Sequence, residues 1–427
     1  MSVVLGAIAD DFTGATDLCN TLVRRGMKTV QLIDVPGGNT PAPDAEAVVI
    51  ALKSRTIPVG DAVRMSLTAL TWLKDAGAKQ ILFKYCSTFD STDEGNIGPV
   101  AEALLDALGL DFTLYCPAFP TLGRTIFKGY LFVGDVLLSE SGMKDHPLTP
   151  MRDPSLVRVL QRQSRGKVGL VQHATVSRGP VAIATAFAGL KQEGCRHAII
   201  DAIVDHDLEA IGEAATDFAL ITGGSGIALG LPENYRRAGL IGDGGGADIL
   251  PKIAGHAAVL SGSCSDATRG QVAHMIGAGG SAFIIDPLAA AAGQNVAEQG
   301  LSWAADKLGN RPILFAATAP PESVAEVQQK LGRERAGLLI ESIMAEIARG
   351  LVERGVRRLV VAGGETAGAV VQALGVTGLR IGRQIDPGVP WTVSLGDPPL
   401  ALALKSGNFG APDFFLRAFT ALEEATA

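Results

Sequence analysis

Two adjacent carboxylates, Asp10 and Asp11, close a short apolar run at residues 3–9 and are followed by Phe-Thr-Gly-Ala. Open parallel sheets bind ligands at the carboxyl ends of their strands, so this is where side chains that do chemistry are expected. Paired carboxylates there can hold the hydroxyls of a polyol, deprotonate one of them, or approach a magnesium ion. Asp11 or Thr13 can equally cap the helix that follows, and the two roles are compatible. Three cations sit in comparable places: Arg55 in the segment 52–58, Lys84 in Phe83-Lys-Tyr-Cys-Ser-Thr88, and Arg124 in Gly123-Arg-Thr125. If they converge on one sheet edge, a carboxylate ligand fits the guanidinium fork; the alternative is that they are ordinary surface charges.

The second half carries a different signal. Val259-Leu-Ser-Gly-Ser-Cys-Ser265, Val360-Val-Ala-Gly-Gly-Glu-Thr366 and Leu404-Lys-Ser-Gly-Asn-Phe-Gly410 each run from an apolar stretch into a glycine turn. Such turns let free backbone N–H groups approach a phosphate at a helix N-terminus. Any one alone is an ordinary strand-to-helix corner, but three together point to a nucleotide site. No G-x-x-x-x-G-K-[ST] sequence is present, which excludes an ordinary P-loop enzyme. Gly242-x-Gly244-x-x-Ala247 matches a dinucleotide fingerprint only loosely, with no strong strand before it and Pro251 after it. Asp205-His206-Asp207 looks metal-like, yet Asp207 reads better as the cap of a helix starting at Leu208. His146 precedes Pro147 and has no obvious partner, and no Ser-His-Asp order or nucleophile elbow supplies hydrolase chemistry.

The elements that must position these residues alternate. Strand-like runs at 3–9, 28–33, 47–52, 80–84, 113–116, 167–172 and 197–200 are separated by helical patterns at 15–25, 62–76, 97–108 and 180–193. The pattern fails around Pro232 and restarts with strands at 257–261, 281–285, 312–316, 358–362, 391–394 and 400–405. Helices are expected between them at 266–278, 296–308, 336–354 and 366–374, with a last one from Pro412. Alternation of this kind predicts an α/β fold, with two mostly parallel-sheet domains in series. Their junction is expected within 232–252, leaving an N-terminal domain at 1–235 and a C-terminal one at 250–427.

Composition agrees with a globular chain of this class. Its 427 residues are 47% hydrophobic and 19% charged, and 52 are glycine without a collagen period. The net charge of −7 leaves no general basic field for a nucleic acid or an anionic membrane, so neither is an expected partner. The five cysteines are scattered and never form a CxxC pair, which argues against a disulfide framework or structural zinc. The N-terminus has no basic region before its apolar run, and no uninterrupted apolar stretch approaches the ~20 residues of a membrane span. A cytoplasmic chain is the expectation. No heptad repeat or apolar stripe specifies an oligomer, and a homo-oligomer is compatible with the sequence.

Taken in order, Ala9-Asp-Asp-Phe-Thr-Gly-Ala-Thr-Asp17, Ser54-Arg-Thr56, Lys84 with Ser87-Thr88, Gly123-Arg-Thr125, Ser261-Gly-Ser263, Gly363-Gly-Glu-Thr366 and Lys405-Ser-Gly-Asn-Phe-Gly410 resemble the four-carbon acid sugar kinases over nearly the whole chain. Many relatives carry Lys-x-Asp-Ser-Thr where Cys86 stands here in the Asp position. The longer run to Asp90 and beyond, with His146-Pro-Leu-Thr-Pro-Met-Arg-Asp153, looks like the 3-oxotetronate 4-kinase branch. The resemblance implies an acid-sugar domain, an ATP domain, ATP and Mg²⁺ as cofactors, and phosphorylation of a terminal hydroxyl. It implies a catalytic role for Asp11, substrate binding by Asp10, Arg55, Lys84, Ser87, Asp90 and Arg124, and nucleotide binding by Ser261, Gly262, Ser263, Gly363, Gly364, Glu365, Thr366, Gly407 and Asn408. The magnesium ligands stay open, as does the stereochemistry of the acid: a D-threonate or D-erythronate kinase is the near alternative. A nicotinamide-dependent sugar-acid dehydrogenase and a non-catalytic sugar-acid binding protein are the more distant ones.

Overall fold

The computed structural model describes residues 3–37, 40–146 and 148–425. The chain divides into two compact units, Met1–Ala247 and Asp248–Ala427. In the first, eight parallel strands lie in the order β2 (Thr29–Ile33), β3 (Ala47–Ala51), β1 (Leu5–Ala9), β4 (Gln80–Lys84), β11 (Leu220–Gly223), β5 (Thr113–Cys116), β10 (Cys195–Ile200) and β9 (Lys167–Val171). The central strands β1, β3 and β4 are buried at every position, because helices cover both faces. Continuous apolar runs such as Ala-Val-Val-Ile-Ala are the sequence form of that double burial.

The second unit has the order β13 (Ala282–Ile284), β14 (Ile313–Ala316), β12 (His256–Ser261), β15 (Val356–Ala362), β18 (Ala401–Lys405), β17 (Val389–Ser394) and β16 (Gly378–Asp386). Strands β13 to β18 in that list pair in parallel, and β17 then pairs antiparallel with both β18 and β16. Its core packs Val259, Met275, Val360, Trp391, Phe414 and Phe419, with the Trp391 indole N–H donating to the Ala418 carbonyl at 2.6 Å. Strand β16 escapes the sequence pattern because Arg380, Gly382, Arg383 and Gln384 interrupt its apolar alternation.

Several expectations need correction. Arg124 lies beyond the end of β5 and opens a strand that was not expected, β6 (Arg124–Phe127), which pairs with β7 (Tyr130–Val133), itself paired with β8 (Val136–Leu137), in a small antiparallel sheet. The strand β11 and the helix Leu156–Gln163 were not among the expected elements either. The helix expected from Leu208 is present as Asp205–Ala214 and begins at Asp205. Asp207 therefore sits in the first turn and reaches back to accept the N–H groups of Ile203 and Val204 at 2.9 and 3.1 Å. Residues 231–237, where the periodicity fails, form a short helix, with Asn234 donating to the Gly212 carbonyl at 2.8 Å.

The β6–β7 hairpin turns through Lys128 and Gly129, both at positive φ, as a tight two-residue turn requires. Its backbone is tied to the main sheet by Asp201, which is fully buried just after β10. The carboxylate accepts from the N–H groups of Lys128 (2.7 Å), Gly129 (2.8 Å) and His173 (2.9 Å). An Asp201→Ala substitution strands all three donors, and unpaired buried N–H groups are costly. Chemical unfolding is expected to show a loss of roughly 3 kcal/mol; an unchanged midpoint would remove Asp201 from that role.

Candidate active-site residues

In the first unit β1 lies between β3 and β4, so the segments leaving these three strands converge. The backbone joins them: the Asp10 N–H donates to the Lys84 carbonyl and the Ser54 N–H to the Asp10 carbonyl, both at 3.0 Å. The Arg55 guanidinium spans the group. Its Nε and Nη2 form a two-pronged contact with Asp10, each 2.8 Å long, Nη2 also reaches Asp11 Oδ1 at 2.6 Å, and Nη1 reaches Asp90 Oδ2 at 3.2 Å. The Arg55 loop is held by Asn96, whose amide donates to the carbonyls of Ser54, Arg55 and Ile57 at 2.7, 3.2 and 2.9 Å. Asp90 and its neighbour Phe89 are both in the left-handed region, with φ of 46° and 62°. Non-glycine residues held there cost on the order of 1 kcal/mol each, and such strain clusters at functional sites. Thr149 donates to Asp90, and His146 Nδ1 lies 2.9 Å from the Thr149 hydroxyl, a partner that the sequence did not reveal.

Asp11 does two things. It is the N-cap of the helix Phe12–Arg24, accepting from the Gly14 N–H at 3.2 Å, and its other oxygen faces Arg55 and Lys84. The Lys84 ammonium is 3.8 Å from Asp11 Oδ1 and has no hydrogen-bond acceptor among the described residues. Burial pushes the Asp10 carboxyl above its ordinary value against the pull of Arg55. Burial also acts upward on Asp11, but Lys84, Arg55 and the Gly14 N–H together hold it below that value. Environments that separate two neighbouring carboxyls in this way assign them different roles.

Asp17 was quoted in the sequence motif without a role. Burial raises its carboxyl; a hydrogen bond with Ser225 and the charges of Lys84 and Arg124 act the other way. Gly14 and Asp17, three residues apart, share one helix face, which is the signal that could have found it. Arg124 donates through Nη1 to the Leu122 carbonyl, and its buried Nε has no protein partner among the described residues. The structure thus gathers Asp10, Asp11, Arg55, Lys84 and Asp90 into one contact group, and links Arg124 to it through the field at Asp17. Ser87 is half-buried in the turn after β4.

In the second unit the three glycine turns meet. A Cβ on Gly262 would collide with the Thr366 hydroxyl, and one on Gly407 with the Ser263 hydroxyl, so glycine is what lets them approach. A cavity of about 1000 Å³ opens beside them, lined by Gly262, Ser263, Gly363, Gly364, Glu365, Thr366 and Gly407. Ile284, Leu288, Val327, Leu338 and Ile340 line it as well, giving it an apolar part beside the turns. Ser261 and Asn408 are not in the lining. Ser261 is fully buried, its hydroxyl 2.7 Å from that of Thr318, which in turn donates to the Ser263 carbonyl at 2.8 Å. The helices Asp266–Gly277 and Gly364–Ala373 begin at two of the turns, the first capped by Ser265. A polar end of helix N-termini and an apolar end suit the phosphates and base of a nucleotide. Among the described residues no cluster of three or more His, Cys, Asp or Glu forms a metal site.

A Cβ at residue 14 would meet both the Lys84 ammonium and the Asp11 carboxylate. Alanine is nevertheless the better helix former by roughly 1 kcal/mol. Gly14→Ala is therefore expected to leave thermal stability unchanged or slightly raised while turnover falls, because the ammonium must leave its place beside Asp11. Parallel melting and rate measurements test this, and equal or higher turnover would refute it.

The family of sugar-binding N-terminal domains matches residues 5–231, and that of nucleotide-binding C-terminal domains matches residues 258–415. A 3-oxo-tetronate kinase of Cupriavidus necator is 62% identical, covering 96% of this chain and 95% of its own. One of Pseudomonas fluorescens is 60% identical over 97% and 96%. Among solved structures, a Haemophilus influenzae protein is 46% identical with a TM-score of 0.87, covering 98% of this chain and all of its own. A Salmonella typhimurium protein, provisionally described as a tRNA synthase, is 45% identical with a TM-score of 0.90 over 97% and 98%. Both domains in order, with full-length similarity to kinases of one kind, show that this chain belongs to the four-carbon acid sugar kinase family.

Proposed function

We propose that the chain transfers the γ-phosphoryl group of ATP to the C4 hydroxyl of 3-oxotetronate, giving 3-oxotetronate 4-phosphate and ADP. The observation that carries this reading is the pairing of an ionised Asp11 with an unbonded Lys84 ammonium at the edge of the sugar-binding unit, in a chain 62% identical to a 3-oxo-tetronate kinase. Phosphoryl transfer depends on positioning and charge neutralisation more than on covalent chemistry.

Lys84 and Arg124 are the cations left for the acid's carboxylate, since Arg55 already serves three aspartates. Arg55 then acts mainly by holding Asp10, Asp11 and Asp90 together. Asp11 accepts from the C4 hydroxyl and aims its oxygen for in-line attack. Because its carboxyl is held below the ordinary carboxylate range, Asp11 orients the hydroxyl rather than serving as a strong base. The ATP phosphates lie on the turns at Gly262, Gly363, Gly364 and Gly407, with the base in the apolar part of the cavity. Mg²⁺ is usually held by phosphates and only one or two carboxylates; Glu365, exposed in the first turn of its helix, fits that requirement. The ion would neutralise charge on the phosphates. With ATP as donor, the reaction belongs in the cytoplasm. Among the described residues no helix is long and apolar enough to cross a membrane.

An ADP-release screen over L- and D-threonate, erythronate and their 3-oxo forms is expected to favour a 3-oxo acid. Preference for a non-oxidised acid would overturn the substrate, and no ADP release from any of them would overturn the kinase reading. Asp11→Asn should keep affinity for the acid while kcat falls roughly 100-fold or more. Because a lowered carboxyl is ionised above its pKa and lost only as pH falls through it, Asp11 predicts no acid limb in kcat within the range where ordinary carboxylates are already ionised. A near-normal kcat for the Asn variant would remove Asp11 from the chemistry.

A further inference from the structure

Lys405 ends β18 and is 1% exposed, yet it meets no carboxylate among the described residues. Its ammonium spends all three donors on the Thr268 hydroxyl (3.0 Å), the Ser406 carbonyl (3.1 Å) and the Gly407 carbonyl (3.1 Å). Gly407 O also accepts from the hydroxyls of Ser265 and Thr268 at 2.6 and 2.7 Å. Two consecutive carbonyls are thus drawn toward one buried cluster. A trans peptide points its N–H opposite to its C=O, so the N–H groups of Gly407 and Asn408 point away from that cluster. Neither has an acceptor among the described residues, and Gly407 lines the cavity. Successive free N–H groups of this kind form an anion-binding concavity.

We propose that Lys405 is a positioning residue that, with Thr268, turns the Gly407 and Asn408 N–H groups out to bind a nucleotide phosphate and places an uncompensated positive charge behind them. The proposal rests on the nucleotide reading of this cavity and adds the residues that shape its phosphate end. Burial alone lowers the Lys405 pKa to about 8, which leaves the ammonium mostly charged at neutral pH. A buried charge without a counter-ion is costly, and a phosphate anion nearby relieves that cost. Asn408 enters this reading through its backbone N–H, next to the Gly407 that lines the cavity.

Steady-state kinetics and calorimetry on the full chain test this. Lys405→Met is expected to raise KM for ATP by about ten-fold or more while KM for the acid sugar changes less than about two-fold. Thr268→Val should act in the same direction and Thr268→Ser should not, since only the serine keeps the hydroxyl; this pair remains informative if Lys405→Met fails to fold. Tripolyphosphate, used as an inhibitor, should weaken in parallel with ATP, whereas inhibition by adenosine should not change. Wild-type affinity for tripolyphosphate in Lys405→Met or Thr268→Val would overturn the proposal. Failure of the wild-type chain to bind ATP at all would instead overturn the nucleotide reading on which it rests.

Discussion

One guanidinium organises the sugar-binding unit. Arg55 collects Asp10 and Asp11 from the segment after β1 and Asp90 from the segment after β4, and without it three carboxylates would face one another within a partly buried pocket. Like charges at such distances repel, and removing one partner of a buried ionic group exposes the rest to that repulsion. The placement of Arg55 is in turn secured by Asn96 on its loop carbonyls, and the placement of Asp90 by a strained left-handed turn and Thr149. The consequence is chemical. With Arg55 committed to the protein's own carboxylates, Lys84 keeps its donors, and Asp11 is ionised beside it.

The nucleotide-binding unit solves a different problem with related means. In the reading proposed above its phosphate end is backbone, and the side chains there would act by orienting peptide planes. Thr318 and Ser261 brace the first turn, and Lys405, Thr268 and Ser265 brace the third. Gly262 and Gly407 contribute by what they lack: a methyl at either position would strike a hydroxyl from a neighbouring turn. The glycine turns that meet at the cavity come from three separate segments, unlike the single segment of a P-loop.

The chain's alternation of apolar runs and amphipathic stretches was sufficient to read the α/β class and most of the parallel strands, because a strand buried on both faces leaves a continuous apolar signature. The helix Ile97–Leu108 falls at its expected bounds, ended by Gly109 in the left-handed region. Elements exposed on one side, or interrupted by charge, were not legible. β16 carries arginine and glycine within the strand, and the β6–β7–β8 sheet is built of strands of four residues or fewer that open on Arg124 and are only partly buried, so neither leaves a continuous apolar run.

The residue types that can do this chemistry, and their place at strand ends, are legible in the chain alone: Asp10 and Asp11 follow an apolar run and Lys84 closes one, and the three glycine turns can be counted without coordinates. Which groups pair is set by how the strands are ordered in space. That Arg55 faces aspartates rather than open solvent, that Asp17 shares the field of Lys84 and Arg124, and that Lys405 is buried without a counter-ion are facts about strand order and loop closure. The difference is one of range. Periodicity and capping act over a few residues along the chain, whereas charge pairing and desolvation act through space between groups that the sequence separates by tens to hundreds of positions.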